Sequence, residues 1–418
     1  MTGIVALIFT ALLVEAARRI APAIGLVDSP SERKSHRGEV PLVGGISIFA
    51  GLFMLIAASG GLSEHWPFLS AAAMLVAVGV WDDVKGISPA LRLVFQACAV
   101  LVIVYFGGMY LSDLGTLIPM LGKVDLGWMG IPFTVFAGIG IINAFNMSDG
   151  VDGLCGTLTL VALAGFGTVA TIAGKTHDLI FVAALAGGLI GFLIFNVRVP
   201  GRNQAKAFLG DAGSYLLGLS VLYVAMRLSQ GPERAMAPVA ALWFCMLPLV
   251  DTIGMILRRI RRGRSPFTPD REHIHHVFLL AKFSVTSTWI GLAAVATVGM
   301  VFGLTGTLGG MSESVMLATF LVVGVLYYGM IMRAWKVMRF LSRSINRRTE
   351  VLIDRRKGAD RRQRVELRYV NGVPIDRRSG MDRRQHDRRA ENDEFPENVT
   401  VLAHQQNTDR PGNRAARI

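Results

Sequence analysis

Long apolar runs recur through roughly the first four-fifths of the chain, and no other feature so narrows what it can fold into. A helix needs about 20 apolar residues to cross the hydrocarbon core of a bilayer. Runs near that length occur at 3–22, 41–59, 67–81, 91–108, 130–147, 154–173, 178–196, 209–226, 236–257, 285–306 and 313–334. Lipid offers backbone groups no water to bond, so each run must close its own hydrogen bonds as a helix. The predicted fold is therefore all-α and polytopic, with eleven transmembrane helices. Only 17% of the 418 residues are charged, against about 25% in a soluble domain. The expected organisation is a transmembrane core over 1–336 and a polar tail over 337–418.

Charge then orients the core. With the loop at 28–39 in the cytoplasm and the spans alternating, seventeen Lys and Arg of the core fall on the cytoplasmic side. Only Lys123, Lys175, Arg227 and Arg234 fall on the other. The positive-inside rule then puts the N-terminus in the periplasm and the tail in the cytoplasm of a cell inner membrane. The net charge of +13 reads as loop charge drawn to anionic lipid, and no nucleic-acid partner is expected. Cys98, Cys155 and Cys245 lie in apolar stretches without metal-like spacing and read as buried apolar residues. No basic region precedes the first run, so no cleavable signal peptide is expected.

Five polar clusters all fall in the predicted cytoplasmic loops. Ionisable groups at membrane depth are costly and usually have a role. The first cluster contains Asp28, Lys34, His36 and Arg37, followed by Pro41 and the pair Gly44-Gly45. It reads as phosphate-binding cations, or as a lipid anchor with glycine packing. The second, Asp82-Asp83 with Lys85, is a carboxylate pair needing a cation or metal, or a helix end paired to Lys85. In the third, Asn143, Asn146, Asp149 and Asp152 recur every three residues with glycines between, a stripe suited to a nucleotide or sugar. In the fourth, Gly210-Asp211-Ala-Gly213-Ser214, the carboxylate serves as an N-cap or as a ligand for Mg²⁺, which takes one or two carboxylates plus phosphate oxygens. The fifth joins a basic stretch to Arg271, His273, His275 and His276, and phosphate binding suits it better than zinc. No P-loop, kinase set or serine triad is present. Metal-assisted transfer of a phospho-sugar between a soluble nucleotide and a lipid fits the set.

In this order the motifs resemble the polyprenyl-phosphate N-acetylhexosamine-1-phosphate transferases, glycosyltransferase family 4, over roughly residues 1–335. The run Ser265-Pro-Phe to Arg271 followed by His273-Ile-His-His276 is similar to the WecA-type branch, which uses UDP-GlcNAc. The MraY branch typically shows three consecutive His, and here Ile274 interrupts them. The resemblance implies attack by undecaprenyl phosphate on the β-phosphorus of the UDP-sugar, releasing UMP, as a first membrane step of O-antigen-type surface glycan synthesis. It implies Mg²⁺, with Mn²⁺ as a substitute. It further implies Asp211 as main metal ligand and catalytic residue, and Asp82 and Asp83 as catalytic carboxylates near the lipid phosphate or the metal. Asn143, Asn146, Asp149 and Asp152 would face the nucleotide, and Lys34, His36, Arg37, Arg271, His273, His275 and His276 the diphosphate or sugar. UDP-FucNAc, UDP-QuiNAc and UDP-GalNAc are the alternative donors. A lipid transporter, the non-enzymatic alternative, would need charge at the bilayer midplane.

The tail repeats Asp-Arg-Arg at 354, 360, 376, 382 and 387. With few apolar residues it is expected to be largely disordered, with a hairpin about Asn371-Gly372. Anionic headgroups, an acidic partner or a nucleotide regulator are its candidate ligands. The partners expected of the whole are undecaprenyl phosphate, a UDP-N-acetyl sugar and the bilayer, with homodimerisation left open.

Overall fold

The computed structural model describes residues 1–29, 38–199, 201–202, 204–265, 273–334, 369–370 and 373–374. The chain divides into two units, Met1–Pro30 with His36–Arg343, and Ser31–Ser35 with Ser344–Ile418. In the second, strands Tyr369–Val370 and Val373–Pro374 pair antiparallel, Val370 opposite Val373. The hairpin was expected at this place, and its turn Asn371-Gly372 lies outside the described residues, as do the Asp-Arg-Arg repeats.

The first unit is a bundle of helices: α1 (Thr2–Ile20), α2 (Gly44–Ala58), α3 (Leu62–Lys85), α4 (Pro89–Gly107), α5 (Gly130–Met147), α6 (Leu154–Ile172), α7 (Thr176–Asn196), α8 (Gly210–Ser229), α9 (Pro238–Phe244), α10 (Met246–Arg261), α11 (Ile274–Leu280) and α12 (Val285–Leu308). A last helix, α13, spans Glu313–Ala334. Each predicted apolar run falls on one of these or on the pair α9–α10. Among the described residues eight helices, α3 to α8, α12 and α13, are long and apolar enough to cross a membrane. The chain is a polytopic all-α membrane protein.

The run at 236–257 is not one straight helix, because α9 and α10 meet at 85°. Pro248 has no N–H to give the carbonyl of Phe244, the last residue of α9, and its ring would clash there. Local signals set other ends. The Ser88 hydroxyl accepts the N–H of Leu91 at 3.3 Å and Pro89 opens α4, a capped start. Helix α3 runs on to Lys85 before Gly86 ends it, so Asp82 and Asp83 lie on its last turn.

Helix α8 is the axis, with 89% of its apolar window buried inside the protein against 28% for α12 and 22% for α13. Helices α2, α3, α5 and α6 pack around it. Gly45 of α2 and Gly79 of α3 press on the backbone of Ala212 and Gly213, leaving no room for a Cβ. Small residues of this kind let helices approach closely where lipid supplies no hydrophobic drive. At the far end of α8, Arg227 pairs with Asp178 and Glu64. Nearby charges pair likewise: Asp113 with Lys123 at 3.0 Å and with Arg234 at 3.2 Å.

Candidate active site

The near end of α8 gathers the sequence motifs. Gly210, at φ 72°, turns the chain into the helix in a conformation that costs other residues a Cβ clash. Its neighbouring strand segment is held from the first cluster: Phe208 N donates to Pro41 O at 2.8 Å, and Gly44 N returns a bond to Phe208 O at 3.0 Å. Asp83 reaches from α3 and accepts the N–H groups of Asp211 (2.9 Å) and Ala212 (3.5 Å). A carboxylate there satisfies helix-start donors and complements the helix dipole. From α5, Asn146 Nδ2 donates to Asp211 Oδ1 at 2.6 Å and to Ser214 Oγ at 2.9 Å.

The adjacent carboxylates of α3 both reach Asp211 but take different partners. Asp82 is 5% exposed. It pairs with Arg92 at 2.7 Å and accepts from Tyr215 OH at 2.9 Å and Ile87 N at 3.0 Å. The described cation on the pair is thus Arg92 of α4, and Lys85, the partner weighed from sequence, is exposed.

The third cluster departs from a single helical stripe. Helix α5 ends at Met147, so Asn143 and Asn146 share a face while Asp149 and Asp152 lie in the following turn. Asn143 Nδ2 donates to Gln96 Oε1 at 2.6 Å and to Ile139 O at 2.8 Å, a turn away from Asp211. Asp152 pairs with Arg198 at 2.6 Å. Asn196 fastens the turn to the segment before α8: its Oδ1 accepts Gly153 N at 2.7 Å and its Nδ2 donates to Ala207 O at 2.9 Å. Asp149 is half-buried. Burial, then the carboxylates of Asp211, Asp152 and Asp83, hold its carboxyl well above the usual range.

The histidine run reaches the same turn. His275 is buried with its ring against Gly150. Burial, then His276 and His273, push it down to about 3, so near neutral pH it is an uncharged packing ring. The ring lies parallel to that of His273 at 5.8 Å and 4.2 Å from that of His276. His273 Nδ1 pairs with Asp251 Oδ2 at 2.8 Å. Lys34, His36, Arg37 and Arg271 lie outside the described residues.

Sequence reasoning missed Arg92, Asn196, Arg198, Asp251 and the tyrosines Tyr215 and Tyr327. Asp251 carried a signal, a carboxylate inside an apolar run. The tyrosines carried none, because an apolar helix accepts them for their rings.

Asp82, Asp83, Asp149 and Asp211 therefore crowd one end of α8; Arg92 pairs with Asp82 and acts through space on Asp211 as well, and among the described residues no Lys or Arg forms an ion pair with Asp83, Asp149 or Asp211. Among those residues no group of three His, Cys, Asp or Glu side chains stands ready as a metal cage. A site for Mg²⁺ does not require one, since that ion keeps waters and takes substrate oxygens around one or two carboxylates. Four carboxylates gathered around one described cation, Arg92, fit such an ion.

Residues 65–229 match glycosyl transferase family 4, a stretch running from α3 to the end of α8. The chain is 38% identical over 341 residues to the undecaprenyl-phosphate alpha-N-acetylglucosaminyl 1-phosphate transferase of Escherichia coli strain K12, covering 80% of this chain and 92% of that one. It is 38% identical over 338 residues, with the same coverage, to the transferase of that name in Yersinia pestis. The one in Haemophilus influenzae is 36% identical over 327 residues, 78% of this chain and 92% of its own length. With that identity sustained over nearly the whole of its relatives, the chain belongs to glycosyl transferase family 4.

Proposed function

We propose that this protein transfers N-acetylglucosamine 1-phosphate from UDP-GlcNAc to undecaprenyl phosphate, giving undecaprenyl-diphospho-GlcNAc and UMP. The observation that carries the reading is the meeting of Asp83, Asp149 and Asp211 from three separate motifs around the start of α8, with Asp82 and Arg92 beside Asp211. The relatives' shared name supports the two substrates.

In this reading α1 to α10, with α9–α10 as one bent span, and then α12 and α13 cross the inner membrane eleven times, with the N-terminus in the periplasm. The motif end of α8 then faces the cytoplasm, where UDP-sugars are made, while the lipid arrives within the bilayer. An oxygen of the lipid phosphate attacks the β-phosphorus of the UDP-sugar, the bridging bond to the α-phosphate breaks, and UMP leaves. Asp211 would hold Mg²⁺, with Asp83 beside it, and the ion would supply positive charge where two anionic phosphates approach. Asn146 fixes the Asp211 carboxylate, and Asp149 faces the nucleotide diphosphate. Asp83, half-exposed, is better placed than Asp82 to meet the lipid phosphate. Asp82, buried under Arg92 and Tyr215, holds the end of α3 in place.

The test is transfer of label from UDP-GlcNAc to undecaprenyl phosphate by purified membranes, with and without Mg²⁺, read as lipid-soluble product and UMP. Product that needs Mg²⁺ supports donor, acceptor and metal together. Product only with UDP-FucNAc, UDP-QuiNAc or UDP-GalNAc replaces the donor, and no product with any of them refutes the transferase reading.

A further inference from the structure

The end of the bundle away from the candidate active site carries a hairpin that none of the sequence motifs accounts for. It joins the end of α4 to the start of α5. Backbone bonds lace it: Leu114 N donates to Val124 O at 2.9 Å, Val124 N to Gly115 O at 2.8 Å and Leu126 N to Ser112 O at 2.8 Å. Its residues meet the ends of other helices in order. Leu111 N donates to Thr134 Oγ1 of α5 at 2.8 Å. Ser112 N donates to Gln230 Oε1, just past α8, at 2.9 Å, and Asp113 pairs with Arg234 at 3.2 Å. Thr116 N donates to Glu313 Oε2 at 2.7 Å, and Ser314 Oγ donates to Thr116 O at 3.0 Å, both at the start of α13. The hairpin therefore lies across the bundle, from α5 over the end of α8 to α13, and does not stand off it. Helix α13 is at the rim, with Val315, Leu321 and Val322 exposed.

Beyond this last contact comes the turn Ile118-Pro119-Met120-Leu121, with Ile118 49%, Met120 96% and Leu121 69% exposed. From Gly115 to Gly122 the chain holds no charge. Lys123, the next cation, turns back to Asp113 at 3.0 Å and Asp125 at 3.4 Å. The turn closes on itself, Leu121 N donating to Ile118 O at 3.0 Å, and Pro119 has no N–H. It thus presents few unmet donors, the condition for entering lipid. Its depth fits as well. Trp128, 84% exposed, stands at the head of the span Gly127–Met147, and Tyr110, also exposed, stands at the other root of the hairpin. Such rings mark the boundary between hydrocarbon and water. An apolar turn rooted at that boundary and carried past a rim helix meets acyl chains before it meets water. We propose that residues 118–121 form a lipid anchor, sunk beside α13 into the headgroup–acyl boundary of the leaflet away from the active site. The absence of charge favours lipid over a polar partner. This rests on the membrane-spanning fold and is independent of the transferase reading.

The experiment uses the full-length protein in vesicles of phosphatidylethanolamine and phosphatidylglycerol. Exposed Cys98 is removed by Cys98→Ala, and an environment-sensitive dye is attached at Met120→Cys. A second sample carries the dye at Pro232→Cys, an exposed position past α8 at the same end of the bundle. Lipid with a spin label high on the acyl chain quenches a dye about 5–10 Å below the surface, and aqueous iodide quenches one in water. The Met120 dye is expected to emit to the blue of the Pro232 dye, with lipid quenching about 3-fold stronger and iodide quenching about 3-fold weaker. Adding Leu121→Asp is expected to turn the Met120 dye out to iodide. Equal quenching at the two positions, or iodide quenching at Met120 as strong as at Pro232, overturns the proposal. Blue emission that the lipid label leaves unquenched overturns it too, and its loss on dilution into more lipid would name a second copy as the occupant. Should Met120→Cys fail to fold, Ile118→Cys carries the same comparison.

Discussion

Adding a single methyl group at Gly150 should separate the histidine run from the turn that carries Asp149. A Cβ at this position would press on Nε2 of His275, and would stand 2.6 Å from its Cε1 and 2.8 Å from its Cδ2. Ordinary carbon–carbon contact is about 3.5–4.0 Å, so the ring must withdraw by about 1 Å. Ring ends often yield cheaply, but this one is 2% exposed and flanked by His273 and His276. Overpacking of this kind costs about 1–3 kcal/mol, and part of it falls on the exposed turn, which can shift outward. Stability should therefore drop little, while about 1 Å of displacement at the reacting groups costs about 100-fold in rate. The assay pairs label transfer to undecaprenyl phosphate with thermal unfolding in detergent followed by tryptophan fluorescence. Gly150→Ala is expected to unfold within a few degrees of wild type while losing about 30- to 100-fold in kcat. Activity within about 3-fold of wild type would refute the view that the turn and the histidine run form one working surface.

Three further outcomes follow from the geometry. Asp211→Asn keeps an oxygen for the Asn146 bond but loses the charge, so membranes should retain their protein and lose about 10²- to 10³-fold in transfer, roughly 3–4 kcal/mol of barrier. Asn196→Ala strands Gly153 N and Ala207 O in a buried site and should destabilise the detergent-solubilised protein by about 2–4 kcal/mol, seen as a lower Tm that Asn196→Asp does not fully restore. Between pH about 6.5 and about 3 the unfolded chain protonates His275 while the folded chain, held down to about 3, does not. Stability should fall as pH drops through that window, and His275→Gln should flatten the slope of Tm against pH.

The sequence by itself determined the class of the molecule and most of the polar motifs that meet at one end of α8. Hydropathy over about 20 residues is a local property of the chain, so all eleven apolar runs reappear as helices or as the bent pair. The motifs were legible for a related reason. Carboxylates, amides and histidines interrupting such runs are expensive, and Asp83, Asn146, Asp149, Asp211 and His275 do come together at one end of α8. Partnership was not legible. Asp82 takes Arg92 rather than its near neighbour Lys85 because Gly86 turns the chain and α4 returns its first turns past the end of α3. Asn143 turns to Gln96 while Asn146, one turn on, turns to Asp211, since each amide bonds whichever helix lies across from it. Tyr327 and His273 stand 76 and 22 residues from Asp251 along the chain, and no pattern of spacing joins the three. Only the packing of α10, α11 and α13 decides that one buried carboxylate must satisfy three donors. Burial, which makes an unmet polar group cost far more than an exposed one, is a property of that packing and not of any segment alone.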